Sequence, residues 1–205
     1  MRPFKTAALL IVLALAGAAV PRALAAETTA EQVVETFHQE LLATMRDAKT
    51  LGFKGRFNRL APHIERAFHL PLMIQMASGS YWEDTPAPQR QKLIAAFTHL
   101  STSTYASRFD GYSGQSFTTL GRRNGPQKTI LVRTKIVNPD GKDVELGYLT
   151  RNIKGSWRII DVLLDGRFSE LASRISQYQG ILKADGVNGL IATLARKAEK
   201  LAATP

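Results

Sequence analysis

GSWRIIDVLLDG, residues 155–166, is the stretch on which the fold turns. Its interior is dominated by β-branched, aliphatic and aromatic side chains, and turn residues stand at both ends: Lys154 and Gly155 before it, Asp165 and Gly166 after it. This is the signature of a strand, here over residues 156–164. Strict alternation places Trp157, Ile159, Asp161 and Leu163 on one face, and Arg158, Ile160, Val162 and Leu164 on the other. Both faces are mostly apolar. The strand is therefore expected to be covered on both sides, or to line a cavity with one of them.

Upstream, residues 143–153 alternate, with Val144, Leu146 and Tyr148 on one face. Pro139-Asp140-Gly141 precedes them as a hairpin turn, in which Pro presets φ and Gly accepts a positive φ. Residues 128–138 set Ile130, Val132, Thr134 and Ile136 against Leu131, Arg133, Lys135 and Val137. Residues 121–126 (GRRNGP) read as a turn, and residues 115–120 as the first strand of a four-strand antiparallel meander.

Further outward in both directions the apolar period changes from 2 to 3.6. Val33, Val34, Phe37, Leu41, Leu42 and Met45 stripe a first helix beginning near Ala30, which Thr28 or Thr29 can cap, with Thr28 and Glu31 at capping-box spacing. Residues 50–68 read as two short helical pieces, with Pro62 in the first turn of the second. Residues 70–77 (LPLMIQMA) form a short apolar helix closed by Gly79. A longer helix begins at Thr85-Pro86 and runs to about residue 109, marked by Leu93, Phe97, Leu100 and Thr104. Downstream of the meander, helices are expected near 167–183 and 186–203. The fold class is α+β: a curved antiparallel sheet of about four strands, wrapped by N- and C-terminal helices and enclosing an apolar cavity.

Composition narrows the function. The 205 residues hold no cysteine, which excludes a disulfide framework, a thiolate zinc site and a Cys nucleophile. The formal net charge of +10 first suggests nucleic acid or an anionic surface. The N-terminus changes that reading. Arg2 and Lys5 precede an apolar run over residues 7–20, followed by Ala23-Leu24-Ala25, the pattern of a secretory signal peptide. Cleavage after residue 25 removes Arg2, Lys5 and Arg22 and no carboxylate, so the net charge falls to +7 on a single domain, residues 26–205. Export argues against nucleic acid as a partner.

The four histidines, His38, His63, His69 and His99, lack zinc-protease spacing, and no nucleophile elbow, Walker loop or dinucleotide fingerprint occurs. No metal and no cofactor is implied. Asp161 is the one carboxylate in an apolar context; it is either a general base of a cone-shaped isomerase or dehydratase, or a structural group that pairs with an Arg or caps a neighbouring turn. The scattered cations, Arg56, Arg59, Arg66, Arg122, Arg123, Lys128, Arg133, Lys135, Arg151, Lys154 and Arg158, read as solvated surface. Their alternative reading is a diffuse positive face toward anionic headgroups or an acidic docking partner.

An ordered set of motifs resembles a known family. The segment Phe68-His69-Leu70-Pro71-Leu72-Met73, then Ala77-Ser78-Gly79-Ser80-Tyr81-Trp82, is followed by Gln89-Arg90, Phe97 and Thr104-Tyr105. Residues 155–166 come next, then Ser176-Gln177-Tyr178 and residues 185–194 (DGVNGLIATL). Together they resemble the periplasmic lipid carriers of the Mla type, the MlaC or toluene-tolerance auxiliary family, over residues 30–197. The run Asp165-Gly166-Arg167-Phe168-Ser169-Glu170-Leu171 departs from the usual pattern, and Ser169-Glu170-Leu171-Ala172-Ser173-Arg174 resembles the hopanoid-associated branch.

The resemblance implies a non-enzymatic periplasmic shuttle. Its cargo would be a phospholipid or a hopanoid, passed between an inner-membrane ABC-transporter complex and an outer-membrane lipid-transfer complex with transient membrane docking. For the pocket we single out Leu72, Met73, Met76, Phe97, Tyr105, Ile130, Tyr148, Ile160, Val162, Leu164, Phe168 and Ile175. A flat fused-ring cargo would favour walls of Phe168, Tyr178 and Tyr105. A ligand-free periplasmic adaptor and the Asp161 enzyme are the rival readings.

Overall fold

The computed structural model describes residues 28–203, so the expected signal peptide lies outside the described residues. Helix α1 (Ala30–Arg46) is capped by Thr29, one of the two threonines expected to cap it, but the capping box pairs Thr29 with Gln32 rather than Thr28 with Glu31. Thr29 Oγ1 accepts from the Gln32 amide at 3.2 Å, and Gln32 Oε1 accepts from the Thr29 amide at 2.8 Å. Helix α2 (Ala48–Ala67) breaks early, at Gly52 (φ 58°, ψ −176°), and then runs straight through Pro62. Sequence reading had put the break at the proline. Pro62 is exposed, so water can satisfy the carbonyl that its missing N–H leaves free. Helices α3 (Leu70–Ser78), α4 (Tyr81–Asp84) and α5 (Ala87–Arg108) follow.

Among the described residues the sheet has five strands in sequential antiparallel order: β1 (Ser116–Asn124), β2 (Thr129–Val137), β3 (Val144–Ile153), β4 (Ser156–Leu164) and β5 (Phe168–Ser169). The fifth strand is two residues long, below what alternation can reveal. Strand β1 outruns its expected end because a bulge at Gly121 absorbs the glycine. The turn expected at residues 121–126 moves to a 3-10 turn at Pro126–Lys128.

A second bulge decides which side of β4 faces the core. Pairing with β3 shifts register between Leu149 and Thr150, so that Leu149 opposes Asp161 while Thr150 opposes Ile159. One extra residue on β4 reverses the parity of everything before it. Ile159 and Trp157 therefore join Val162 and Leu164 at the principal core, and Ile160 does not. Both alternating faces looked apolar in the sequence because two half-faces of opposite parity share one physical side.

Helix α6 (Glu170–Ala203) bends sharply at Gly186 (φ 65°, ψ −168°). Gln177 and Lys197 would lie about 30 Å apart on a straight helix. Instead Lys197 Nζ is 3.5 Å from Gln177 Oε1, so the two arms fold back as a hairpin, in agreement with the two helices read from the sequence. The core lies between the sheet and the helices, with Phe37, Leu41, Ile64, Phe97, Tyr148, Ile159 and Leu190 essentially inaccessible. No described helix is long and apolar enough to cross a membrane.

Candidate functional site: an apolar cavity between sheet and helices

The sheet and the helices do not close completely. A cavity of about 200 Å³ remains between Ile136, Leu146, Tyr148, Val162 and Leu164 of the sheet and Met73, Thr104, Tyr105 and Phe109 of α3, α5 and the residue after it. Phe68 and Leu70 add to its wall. They are held there because the α2–α3 junction pairs with β4: Phe68 bridges Ile159, and the His69 amide donates to the Ile159 carbonyl at 2.9 Å. Pro71 starts α3, and His69 Nδ1 accepts from the Leu72 amide at 3.0 Å, which satisfies an orphan donor of the first turn.

Of the twelve residues singled out, Met73, Tyr105, Tyr148, Val162 and Leu164 line this cavity. The other seven lie elsewhere. Leu72 and Met76 occupy a different stripe of α3 from the buried Leu70, Met73, Ile74 and Ala77. Phe97 is wholly buried in packed core. Ile130 packs against the core from the opposite end of β2 to Ile136. Ile160 is turned away by the bulge, and Ile175 sits beside the lining Arg174 as a partly buried core residue. Phe168 is 62% exposed, with the Arg167 guanidinium 5.5 Å from its ring centroid. Bulk at position 168 therefore stands outside the cavity, and Tyr178 is buried outside it as well.

The cavity floor is uncharged. His38 Nε2 lies 2.9 Å from the Tyr148 hydroxyl, and the His38 ring stacks on Phe117 at 4.0 Å. Burial lowers the His38 pKa from 6.5 to about 3, so the ring is neutral at physiological pH. Burial raises the phenols of Tyr105 and Tyr148 well above their ordinary value, so both stay protonated. Tyr105 is ringed by Phe37, Phe68 and Phe109, at centroid distances of 5.2, 5.6 and 5.7 Å. Charge enters at one end only, with Arg108, Glu170 and Arg174.

Asp161 has a different use from general-base chemistry. Its Oδ1 accepts from the Val162 amide at 2.7 Å and the Leu171 amide at 2.9 Å, and its Oδ2 accepts from the Ser169 hydroxyl at 2.5 Å. Ser169 Oγ in turn accepts from the Ala172 amide at 2.9 Å. The carboxylate ties the β4 bulge to β5 and caps the first turn of α6. It does not line the cavity. Among the described residues no cluster of three or more His, Asp or Glu side chains could hold a metal ion.

Two of the scattered arginines are also structural. Arg56 is buried, donating to the carbonyls of Ala106 at 2.7 Å and Ala48 at 3.1 Å, so it joins α2 to the end of α5. Arg158 donates to the Glu65 carbonyl at 3.1 Å and to that of Arg66, at the C-terminus of α2. The reading of these two as solvated surface is thereby corrected.

A partly open cavity with an uncharged, aromatic-walled floor under a curved sheet has the shape and polarity to take an apolar chain. The model of the MlaC protein family matches residues 35–196. The chain belongs to the MlaC family. Among its relatives is the intermembrane phospholipid transport system binding protein MlaC of Haemophilus influenzae, 29% identical over 126 residues. That alignment takes in 60% of this chain and 58% of the relative's length, little over half of it. A solved phospholipid-binding protein from Ralstonia solanacearum, in complex with a phospholipid, shares the fold with a TM-score of 0.74 at 23% identity. The match covers 84% of this MlaC-family chain and 98% of that structure.

Proposed function

We infer that this protein is a periplasmic lipid carrier that holds the acyl part of a phospholipid in the cavity under its sheet and passes it between membranes without altering it. The observation that carries this reading is the mostly apolar cavity, charged at one end, in a chain of the MlaC family. Each buried CH2 of cargo contributes about 0.8 kcal/mol, so a few carbons suffice to hold a chain out of water. The signal-peptide pattern of residues 1–25 supports a periplasmic location. The relative's assignment to an intermembrane phospholipid transport system supports partners at both membranes: an inner-membrane ABC-transporter complex and an outer-membrane complex, met by transient docking.

Phospholipid is favoured over a hopanoid. Of the three aromatic residues that would stack a fused-ring cargo, Tyr105 lines the cavity whereas Phe168 and Tyr178 do not. The charged residues at one end of the cavity also suit an amphiphile better than an uncharged ring system. A catalytic reading has little support, since the Asp161 carboxylate is engaged by three donors. The test is lipid extraction and mass spectrometry of the mature protein purified from its own periplasm. Co-purified phospholipid is the expected result. Hopanoid alone would overturn the cargo, and absence of any lipid would favour the ligand-free adaptor.

A further inference from the structure

Beside the charged end of the cavity lies a second concavity, a groove of about 420 Å³ between the end of α5 and the two arms of α6. Thr104, Arg108, Glu170 and Arg174 line both, so cavity and groove adjoin at these four residues. The groove adds Lys197 and Lys200 from the returning arm of α6, which gives four cations against the single carboxylate of Glu170.

Arg174 is built into this junction. Its Nη1 is 3.3 Å from the Tyr178 hydroxyl, and its guanidinium carbon stands 5.3 Å over the ring centroid of Phe97. Neither Arg108 nor Arg174 forms an ion pair with a carboxylate among the described residues. Lys197 and Lys200 are three apart on one helical face, and the bend at Gly186 returns that face to the side of Gln177. A surplus of positive charge has thus been brought to one end of an apolar cavity, on helices from distant parts of the chain.

We propose that this groove binds the phosphate of the cargo headgroup while the acyl chain occupies the cavity, so that the protein selects anionic, phosphate-bearing amphiphiles over neutral ones of equal chain length. This rests on the carrier reading above and goes beyond it by assigning the headgroup a site. Arg174 and Arg108 would face the phosphate nearest the apolar mouth, where water is partly excluded and charge-assisted hydrogen bonds are strongest. Lys197 and Lys200 would add longer-range attraction that salt weakens.

The test compares dodecanoyl lysophosphatidic acid with dodecanoyl monoacylglycerol, binding to the delipidated mature protein by calorimetry at low ionic strength. The phosphate-bearing ligand is expected to bind at least about tenfold more tightly, and the gap to narrow as sodium chloride is raised. In the double variant K197Q/K200Q, checked for native circular dichroism, the ratio should fall at least about threefold. Equal binding of the two ligands to the unaltered protein would overturn the headgroup site while leaving the carrier reading intact, and so would a ratio unchanged in the double variant. If neither ligand binds, the carrier reading itself fails. Inorganic phosphate serves as the third arm. It should bind far more weakly than the acylated ligand, and an equal affinity would make the groove a site for free phosphate and overturn its assignment to lipid.

Discussion

Asp161 and His38 are the two buried polar side chains whose partners say most about this molecule. Removing the Asp161 carboxylate strands two amide donors and a serine hydroxyl at the β4–β5–α6 junction. Asp161→Ala should therefore cost about 2–4 kcal/mol in urea denaturation. Asp161→Asn keeps an acceptor for the amides and should cost less than half as much. A general base would show the reverse ordering in its functional readout, with Asn as damaging as Ala.

His38 predicts a pH dependence of stability. Its pKa is about 3 in the folded protein and 6.5 unfolded, so below pH 6.5 the unfolded chain takes up a proton that the folded one refuses. Its contribution is fully present above pH 6.5 and is lost progressively as pH falls toward 3. Between pH 7 and pH 5 the loss is about 2 kcal/mol. Urea midpoints at the two pH values should show it, and His38→Gln should flatten that part of the profile. The sequence showed His38 only as a histidine without zinc spacing, because its partners Tyr148 and Phe117 are over 75 residues away.

At the scale of elements, the bends carry the design. Gly186 holds φ 65° and ψ −168°, a region open essentially to glycine, and nothing lies within 4 Å of where a Cβ would sit. Gly186→Ala should thus destabilise through backbone strain alone, by about 1–3 kcal/mol. Gly180 lies in the same helix with equally open space and no positive φ. Gly180→Ala should stabilise by about 0.5–1 kcal/mol, and thermal melts of the two variants should move in opposite directions.

The β4 bulge acts in the same way on the sheet, placing Ile159 in the principal core cluster and Ile160, though buried, outside it. Helix and strand identities were legible because hydrophobic period is a local property. The bulges at Gly121 and near Asp161 were not legible, because an extra residue is visible only against a partner strand. The break at Gly52 rather than at Pro62 escaped for a related reason. Exposure decides whether a mid-helix proline can be tolerated, and exposure belongs to the packed molecule.

For the whole molecule, the cavity of about 200 Å³ lies below the usual range of about 300–1,000 Å³ for small-molecule sites. Taking up acyl chains must therefore move its walls. Lipid bound only to the folded state should also raise stability, by about 2.7 kcal/mol when present at a hundred times its Kd. Thermal melts of lipid-loaded and delipidated protein should differ accordingly. Filling the cavity from facing walls, with Met73→Trp and Val162→Phe together, should abolish co-purified lipid while the far-ultraviolet circular dichroism stays native. Lipid retained in that variant would count against the cavity as the container.

The sequence by itself determined the α+β class, the antiparallel order of the meander and its turns at residues 139–141 and 154–155, the export signal pattern and the family resemblance. All of these are written in local period, local turn chemistry or the linear order of motifs. Only the tertiary structure decided which apolar residues border a void and which fill the core, because Met73 and Met76, or Ile159 and Ile160, differ in direction rather than in chemistry. It also decided that Asp161 caps a helix, and that Arg108, Arg174, Lys197 and Lys200 meet at one mouth. Those cations are separated by up to 92 positions in the chain and meet only because α6 doubles back at one glycine.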